Sequence, residues 1–184
     1  PPLNLEISDE LALTPYINVL LPSLRTAHMS GGPNTALLIA AMLAERGENI
    51  RLIACDAPVE GKELELYPHI DSLLQRHSLR KKIELVDAFD RSKPTLIGPN
   101  DLFFATAWWT AHMAQRAVNK TLHETFIYLI QDFEPILHEG STFYARALET
   151  YNFAHIPIIN TRLLLDHLAN EGAGRYNNPS FVQN

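Results

Sequence analysis

The stretch TFIYLIQDFEP, residues 125–135, decides the fold class, because its apolar positions run together without alternating with polar ones. A strand with apolar side chains at successive positions is buried on both faces, as in a parallel sheet that helices cover. We therefore predict a strand over residues 125–133 that Pro135 ends. Polar side chains fall where this strand would reach solvent, namely Gln131, Asp132 and Glu134.

The rest of the chain alternates strands of this kind with amphipathic helices. Strands are predicted at 16–24, 49–56, 82–89, 101–107 and 155–161, and helices at 32–48, 63–78, 108–119, 141–152 and 161–172. This alternation predicts an α/β fold with a parallel sheet of about six or seven strands and helices on both faces.

The predicted domain covers residues 16–172, and its flanks lack periodicity. Residues 1–15 are acidic and broken by prolines, and we interpret them as an N-terminal extension. Residues 173–184 are interpreted as a surface tail or the start of a linker. The segment RSKPTLIGPN (91–100) is the longest irregular connection apart from the loop after the first strand.

The composition of the 184 residues is that of one globular domain, with 46% hydrophobic and 20% charged residues. A formal net charge of −6 disfavours nucleic-acid binding, which needs a basic surface, and the basic string LRKK (79–82) is interpreted as a solvated turn.

The single cysteine, Cys55, predicts a reducing compartment, which is the cytoplasm. No apolar segment approaches the roughly 18 residues of a membrane span.

Ligands of open parallel sheets bind at the carboxyl ends of the strands, so the candidate site is built from the residues that follow each strand. The loop after the first strand, SLRTAHMSGG (23–32), contains Arg25, Gly31 and Gly32 as candidate substrate-binding residues. The two glycines place bare backbone at a helix N-terminus, where free N–H groups suit a phosphate or a carboxylate. A plain turn before a helix is the alternative interpretation.

Motif spacing disfavours several other chemistries. The chain has no G-x-x-x-x-G-K-[ST] string, and its glycine pair comes about seven residues late for the dinucleotide fingerprint. No H-E-x-x-H, Cys/His set or D-x-D string predicts a metal site, and no G-x-S-x-G elbow predicts a serine nucleophile. Asp56 ends the second predicted strand, which leaves a nucleotide-dependent oxidoreductase or epimerase as an alternative function.

Two further pairs of residues are candidates at the predicted cleft. Trp108 and Trp109 point about 100° apart on a helix, so we expect one to pack on the sheet and the other to line the cleft, where it can stack on a sugar. Asp132 and Glu134 would point the same way if the strand continued through them. Both are candidate catalytic residues and Gln131 is a candidate substrate-binding residue; the alternative is a strand end that simply reaches water.

The strings FFATAWWTAH (103–112), FIYLIQDFEP (126–135) and IINTRLLLDHL (158–168) resemble the N-terminal domain of WsaF-type rhamnosyltransferases. The resemblance runs from about residue 17 to residue 184. It implies the Rossmann-like N-terminal half of a two-domain GT-B glycosyltransferase of bacterial surface-glycan biosynthesis. It also implies transfer without a metal or a cofactor, with dTDP-L-rhamnose as the donor substrate.

The resemblance implies how the work is divided between the two halves of such an enzyme. The N-terminal half receives a glycan or lipid-linked acceptor, and a C-terminal domain outside this chain holds most of the nucleotide sugar, with its diphosphate near Gly31 and Gly32. We therefore expect the chain alone to be inactive, and the enzyme to work in the cytoplasm with a peripheral association at the inner face of the membrane. A carboxylate such as Asp132 would orient or deprotonate the acceptor hydroxyl. A non-catalytic carbohydrate-binding half is the remaining alternative.

Overall fold

The computed structural model describes residues 1–61, 63–74 and 83–177 and has a parallel β-sheet at its centre. The strands are β1 (Leu5–Ile7), β2 (Tyr16–Leu21), β3 (Asn49–Ala54), β4 (Ile83–Asp87), β5 (Thr95–Ile97), β6 (Leu102–Ala105), β7 (Phe126–Ile130) and β8 (His155–Ile159). The α-helices are α1 (Gly32–Glu45), α2 (Leu66–Leu74), α3 (Trp108–Val118), α4 (Thr142–Glu149) and α5 (Arg162–Asn170).

Six of these strands form one all-parallel sheet in the order β4-β3-β2-β6-β7-β8. The chain builds the sheet outward from β2 through β3 to β4, then returns to the other side of β2 with β6 and continues through β7 to β8. This is the strand order of the doubly wound Rossmann fold, so the predicted α/β fold class is confirmed. The direction of building reverses between β2 and β6, which makes their carboxyl ends the topological switch point.

Burial on both faces of the sheet explains why its strands lack polar alternation. Val19 and Leu21 of β2 pack into the core under α1 and α2, whereas Leu20 between them packs into the core under α3. All three side chains are fully buried. Helix α1 lies close to the sheet because its buried face consists mainly of small residues, Ala36, Leu37, Ala40, Ala41 and Ala44.

A buried polar network fixes β2 beside β6 at the opposite, amino end of the sheet. The carboxylate of Asp101 accepts hydrogen bonds from the Tyr16 backbone N–H and from Asn18 Nδ2, each at 2.9 Å. The Arg51 guanidinium of β3 lies 3.6 Å from the same carboxylate. Asp101 is fully buried, and a buried carboxylate without partners is costly, so these contacts favour β2 as the neighbour of β6.

The segment 91–100 was predicted to be irregular, and that prediction is wrong. It contains β5, which pairs in parallel with β1, with Leu5 opposite Thr95 and Ile7 opposite Ile97. Strand β1 comes from the predicted extension 1–15. A three-residue strand is too short to show a periodic pattern, which is why the sequence did not reveal this pair. The string LRKK (79–82) and the end of the predicted helix 63–78 lie outside the described residues.

The segment that was predicted as a surface tail or the start of a linker begins with residues that pack against the domain. Ala173 and Tyr176 are buried, and the Tyr176 hydroxyl donates a hydrogen bond to Nε2 of His155 on the edge strand β8. A Cβ atom on Gly174 would overlap the carbonyl of Tyr151, which shows how closely the two backbones approach. Among the described helices, none has both the length and the apolar composition to cross a bilayer.

Candidate functional site

A cleft of about 470 Å³ opens at the switch point, above the carboxyl ends of β2, β6 and β7. One wall is the N-terminus of α1, and the other consists of the residues that follow β6 and β7. Its lining includes Gly31, Gly32, Thr106, Trp109, Gln131, Asp132, Glu134 and Asn160. Pro22, directly after β2, lines it as well, so five different segments of the chain meet in one cavity, at the place where ligands bind in folds of this type.

The Gly31-Gly32 pair shapes the first wall of the cleft. Gly31 is the N-cap of α1 with φ of +44°, a backbone conformation that favours glycine. A Cβ atom on Gly32 would lie 2.9 Å from Nε2 of Gln131, so the missing side chain lets the carboxamide approach the helix end. Gly31 has no side chain with which to cap α1, and the free N–H groups of the first turn carry partial positive charge.

Glu134 lies half-buried on the opposite wall, where one carboxylate oxygen accepts a hydrogen bond from the backbone N–H of Trp108 at 2.7 Å. The Tyr128 hydroxyl lies 3.4 Å from the same oxygen. Burial raises the pKa of Glu134 to about 7, opposed by these two hydrogen bonds and aided by the nearby charge of Asp132. A carboxyl group with this pKa exchanges its proton near neutral pH.

Asp132 has very different surroundings from Glu134. Its side chain is exposed, and Oδ1 accepts the neighbouring Phe133 N–H at 2.8 Å. The strand predicted over 125–133 ends at Ile130, and Glu134 begins a 3-10 helix that extends to His138. We expected both carboxylates to point the same way only if the strand continued through them. The strand ends before Asp132, so this expectation does not apply. Both side chains line the cleft, Asp132 exposed to solvent and Glu134 beneath a helix end.

The two tryptophans at the start of α3 separate as their helical spacing predicts. Trp108 is buried and does not line the cleft, because its indole packs against Phe143 and donates a hydrogen bond to Nε2 of His138 at 3.1 Å. Trp109 is half-buried and lines the cleft. Its indole N–H donates to Oδ2 of Asp56 at 2.7 Å, so that carboxylate already has a partner within the domain.

Arg25, like Trp108, is a predicted site residue that does not line the cleft. Its guanidinium forms an ion pair with Glu60. Arg25 precedes a 3-10 turn at Thr26–His28, which turns the chain before it reaches Gly31. A position in the loop after the first strand was therefore too weak a signal to place this side chain.

The site also uses Thr106, Thr35 and Asn160, which were not among the predicted site residues. Thr106 directly follows β6, and its hydroxyl donates to the Leu20 carbonyl at 2.7 Å across the switch point. The sequence places Thr106 and Asn160 directly after predicted strands, which is the signal that locates them at the cleft. Within residues 1–61, 63–74 and 83–177, no three His, Cys, Asp or Glu side chains come together as a metal site.

Comparison with protein-family models shows a match to the WsaF N-terminal domain over residues 16–162. The chain belongs to the WsaF N-terminal domain family. This membership confirms the resemblance carried by the strings around Trp108, Gln131 and Asn160, and it makes the chain a rhamnosyltransferase-related glycosyltransferase domain. Comparison with curated proteins gives no match. All of the cleft-lining residues named above lie within the matched range.

Proposed function

We propose that this WsaF N-terminal domain is the acceptor side of an enzyme that transfers L-rhamnose from dTDP-L-rhamnose to a glycan or lipid-linked acceptor. The observation that carries the proposal is the cleft at the switch point, in which Asp132 and Glu134 face the N-terminus of α1. A carboxylate can accept the proton that the acceptor hydroxyl loses, and positive charge stabilises the departing diphosphate. The cleft has both features on opposite walls.

The wall formed by α1 would receive the donor end of the reaction. The uncapped N–H groups behind Gly31 carry partial positive charge, which stabilises the negative charge that builds up on a leaving diphosphate. Gly32 keeps this wall free of a side chain. A C-terminal domain of the complete enzyme would hold the rest of the nucleotide sugar, so we expect the chain alone to bind acceptor without transferring sugar.

The opposite wall would act on the acceptor hydroxyl. Asp132, which is exposed, orients the hydroxyl, and Glu134 takes its proton as the acceptor oxygen bonds to the anomeric carbon and dTDP departs with the bonding electrons. A pKa of about 7 suits this role, because Glu134 can both bind and release a proton at neutral pH. Trp109, at the edge of the same cleft, offers a half-exposed aromatic face to the sugar ring.

The test is sugar transfer by the full-length enzyme with Asp132→Asn and, separately, Glu134→Gln. Each replacement keeps the size of the side chain and removes its charge, and the carboxamide introduced by Glu134→Gln can still accept the Trp108 N–H. We expect kcat/KM to fall about 100-fold or more for Glu134→Gln, as for loss of a general base. Glu139→Gln removes an exposed carboxylate five residues away and is the matched control. Near-normal kcat/KM in both cleft variants would refute the proposal.

An oxidoreductase or epimerase that uses Asp56 on a ribose gains no support from the structure. The Asp56 carboxylate, which follows β3, accepts the indole N–H of Trp109. This hydrogen bond is a structural contact between the end of β3 and α3. The glycine pair lies at the start of α1, separated from the end of β2 by a 3-10 turn. The first turn after β2 therefore lacks the tight glycine-rich form that a dinucleotide pyrophosphate needs.

A further inference from the structure

A second cavity, of about 400 Å³, lies beside the cleft at the side of α3. We name it the aromatic cavity and define it by Trp108, Trp109, His112, Arg116, Phe143 and Arg146. Trp109 lines both cavities and forms the boundary between them. The volume falls within the roughly 300–1,000 Å³ of ligand pockets. A molecule bound in the cleft could therefore extend past Trp109 into the aromatic cavity.

The wall of the aromatic cavity is built from rings held in fixed positions. The ring centroids of Trp108 and Phe143 lie 5.8 Å apart, and those of Trp108 and Trp109 lie 5.7 Å apart at 82°. His112 fixes α3 to α4 because its Nε2 donates to the Arg146 carbonyl at 2.9 Å. Phe143 is 50% exposed although it is large and apolar. An exposed ring in a concave wall suits stacking by the C–H face of a sugar.

The aromatic cavity also carries two cationic groups that lack an anionic partner in the described part of the chain. Arg116 and Arg146 are exposed, and neither forms an ion pair with a described carboxylate. The Arg146 guanidinium lies 5.9 Å from the ring centroid of Trp108. Asp56, the one acidic residue in the lining, accepts the Trp109 indole N–H. Two guanidinium groups without an anionic partner among the described residues stand out in one cavity of a chain of net charge −6.

We propose that the aromatic cavity binds an anionic sugar, that is, a sugar ring that carries a carboxylate or a phosphate. The rings supply the stacking surface, and the two guanidinium groups supply hydrogen bonds to the anion, for which their planar shape is suited. A lipid surface would meet the same charges, but the rings lie in a concave wall, which fits a single ring-shaped ligand better. The assignment of this sugar to the glycan acceptor rests on the function proposed above. The binding of the sugar in the aromatic cavity does not depend on that function.

The test is an NMR titration of the protein that follows the two indole N–H signals, one for each tryptophan of the chain. The probes are methyl glucuronide and glucose 1-phosphate as anionic sugars, methyl glucoside as the neutral sugar, and inorganic phosphate as the anion without a ring. We expect at least one anionic sugar to shift both indole signals and to bind roughly tenfold more tightly than methyl glucoside and inorganic phosphate. The tighter of the two anionic sugars identifies the anion.

Variants separate the charge contribution from the fold. Arg116→Gln and Arg146→Gln should each weaken binding of the anionic sugar roughly tenfold, because each removes a charged hydrogen-bond donor. Arg162→Gln is the control, because Arg162 pairs with Asp166 on α5. Equal binding of the neutral sugar or of inorganic phosphate would overturn the proposal. So would binding only to vesicles containing phosphatidylglycerol, or no binding of either anionic sugar at about 10 mM. The titration uses no donor, so its failure would leave the proposed transfer reaction untouched.

Discussion

The replacement Glu134→Gln should change how the stability of the domain depends on pH. Burial raises the pKa of Glu134 from 4.5 to about 7 in the folded protein. The folded state therefore holds this proton more tightly than the unfolded chain does. The stabilisation of the folded state by this bound proton is fully present below pH 4.5 and is lost as pH rises through 7. Glutamine cannot ionise, so the variant does not undergo this loss.

The size of the effect follows from the shift of the pKa. A rise from 4.5 to about 7, at about 1.4 kcal/mol per pKa unit, gives about 3 kcal/mol as the upper limit. Glu134 is half-buried, so solvent screening reduces this value. In a domain of this size 1 kcal/mol corresponds to about 2–4 °C in Tm, so the variant should gain several degrees relative to the native protein between pH 4 and pH 8.

The assay is thermal unfolding of both proteins, followed by circular dichroism at several pH values. The difference in Tm should be small near pH 4 and grow in favour of Glu134→Gln up to about pH 8. Asp132→Asn is the control for loss of a carboxylate from the cleft, since Asp132 is exposed. A Tm difference that is the same at every pH would refute a buried carboxyl group with a raised pKa. So would a difference that favours the native protein at pH 8.

Three further predictions test the fold and the site. Gly174→Ala should lower the free energy of unfolding by about 2–3 kcal/mol in chemical denaturation, because φ is +54° and the new Cβ would overlap the Tyr151 carbonyl. Gly32→Ala should change stability by less than about 1 kcal/mol, since only the end of the Gln131 side chain must move, yet it should reduce transfer by the full-length enzyme. Burial lowers the pKa of His155 to about 4, so stability should fall as pH drops from 6.5 to 4, and His155→Gln should lose less of it.

Each of these predictions has a contrary outcome. Gly140→Ala has a similar φ of +72° with open space around it, so a loss equal to that of Gly174→Ala would show that contact with Tyr151 is unimportant. Transfer that Gly32→Ala leaves unchanged would show that the position of the Gln131 carboxamide does not matter. Parallel loss of stability in acid by the native protein and His155→Gln would show that the imidazole is not held neutral in the fold.

The sequence predicted the sheet well, because the information lies in long apolar runs. The predicted strand 16–24 and helix 32–48 correspond to β2 and α1, each with a C-terminal end three residues too long. Overestimated ends have a physical cause: residues such as Phe133 are apolar and buried although they lie beyond the last strand hydrogen bonds. The pair β1 and β5 could not be predicted, since its stability depends on a distant partner rather than on its own pattern.

The sequence predicted where the candidate site lies but not the surroundings of each of its side chains. Strand ends located Gln131, Asp132 and Glu134 correctly at the cleft, because parallel strands have their carboxyl ends at one edge. The difference between the two carboxylates could not be predicted. It arises because the fold buries Glu134, which raises its pKa although the Trp108 N–H, distant in sequence, donates to the carboxylate and opposes that rise. The position of Arg25 could not be predicted either, because its ion-pair partner Glu60 follows a different strand.

A structure of the full-length enzyme with dTDP and a glycan acceptor would test the central claim most directly. We predict that the acceptor lies in the cleft at the switch point, with a hydroxyl within hydrogen-bond distance of Asp132 or Glu134. The diphosphate of dTDP should lie next to Gly31 and Gly32, at the N-terminus of α1. An acceptor bound away from both carboxylates, or a diphosphate remote from the glycine pair, would contradict the assignment of this cleft.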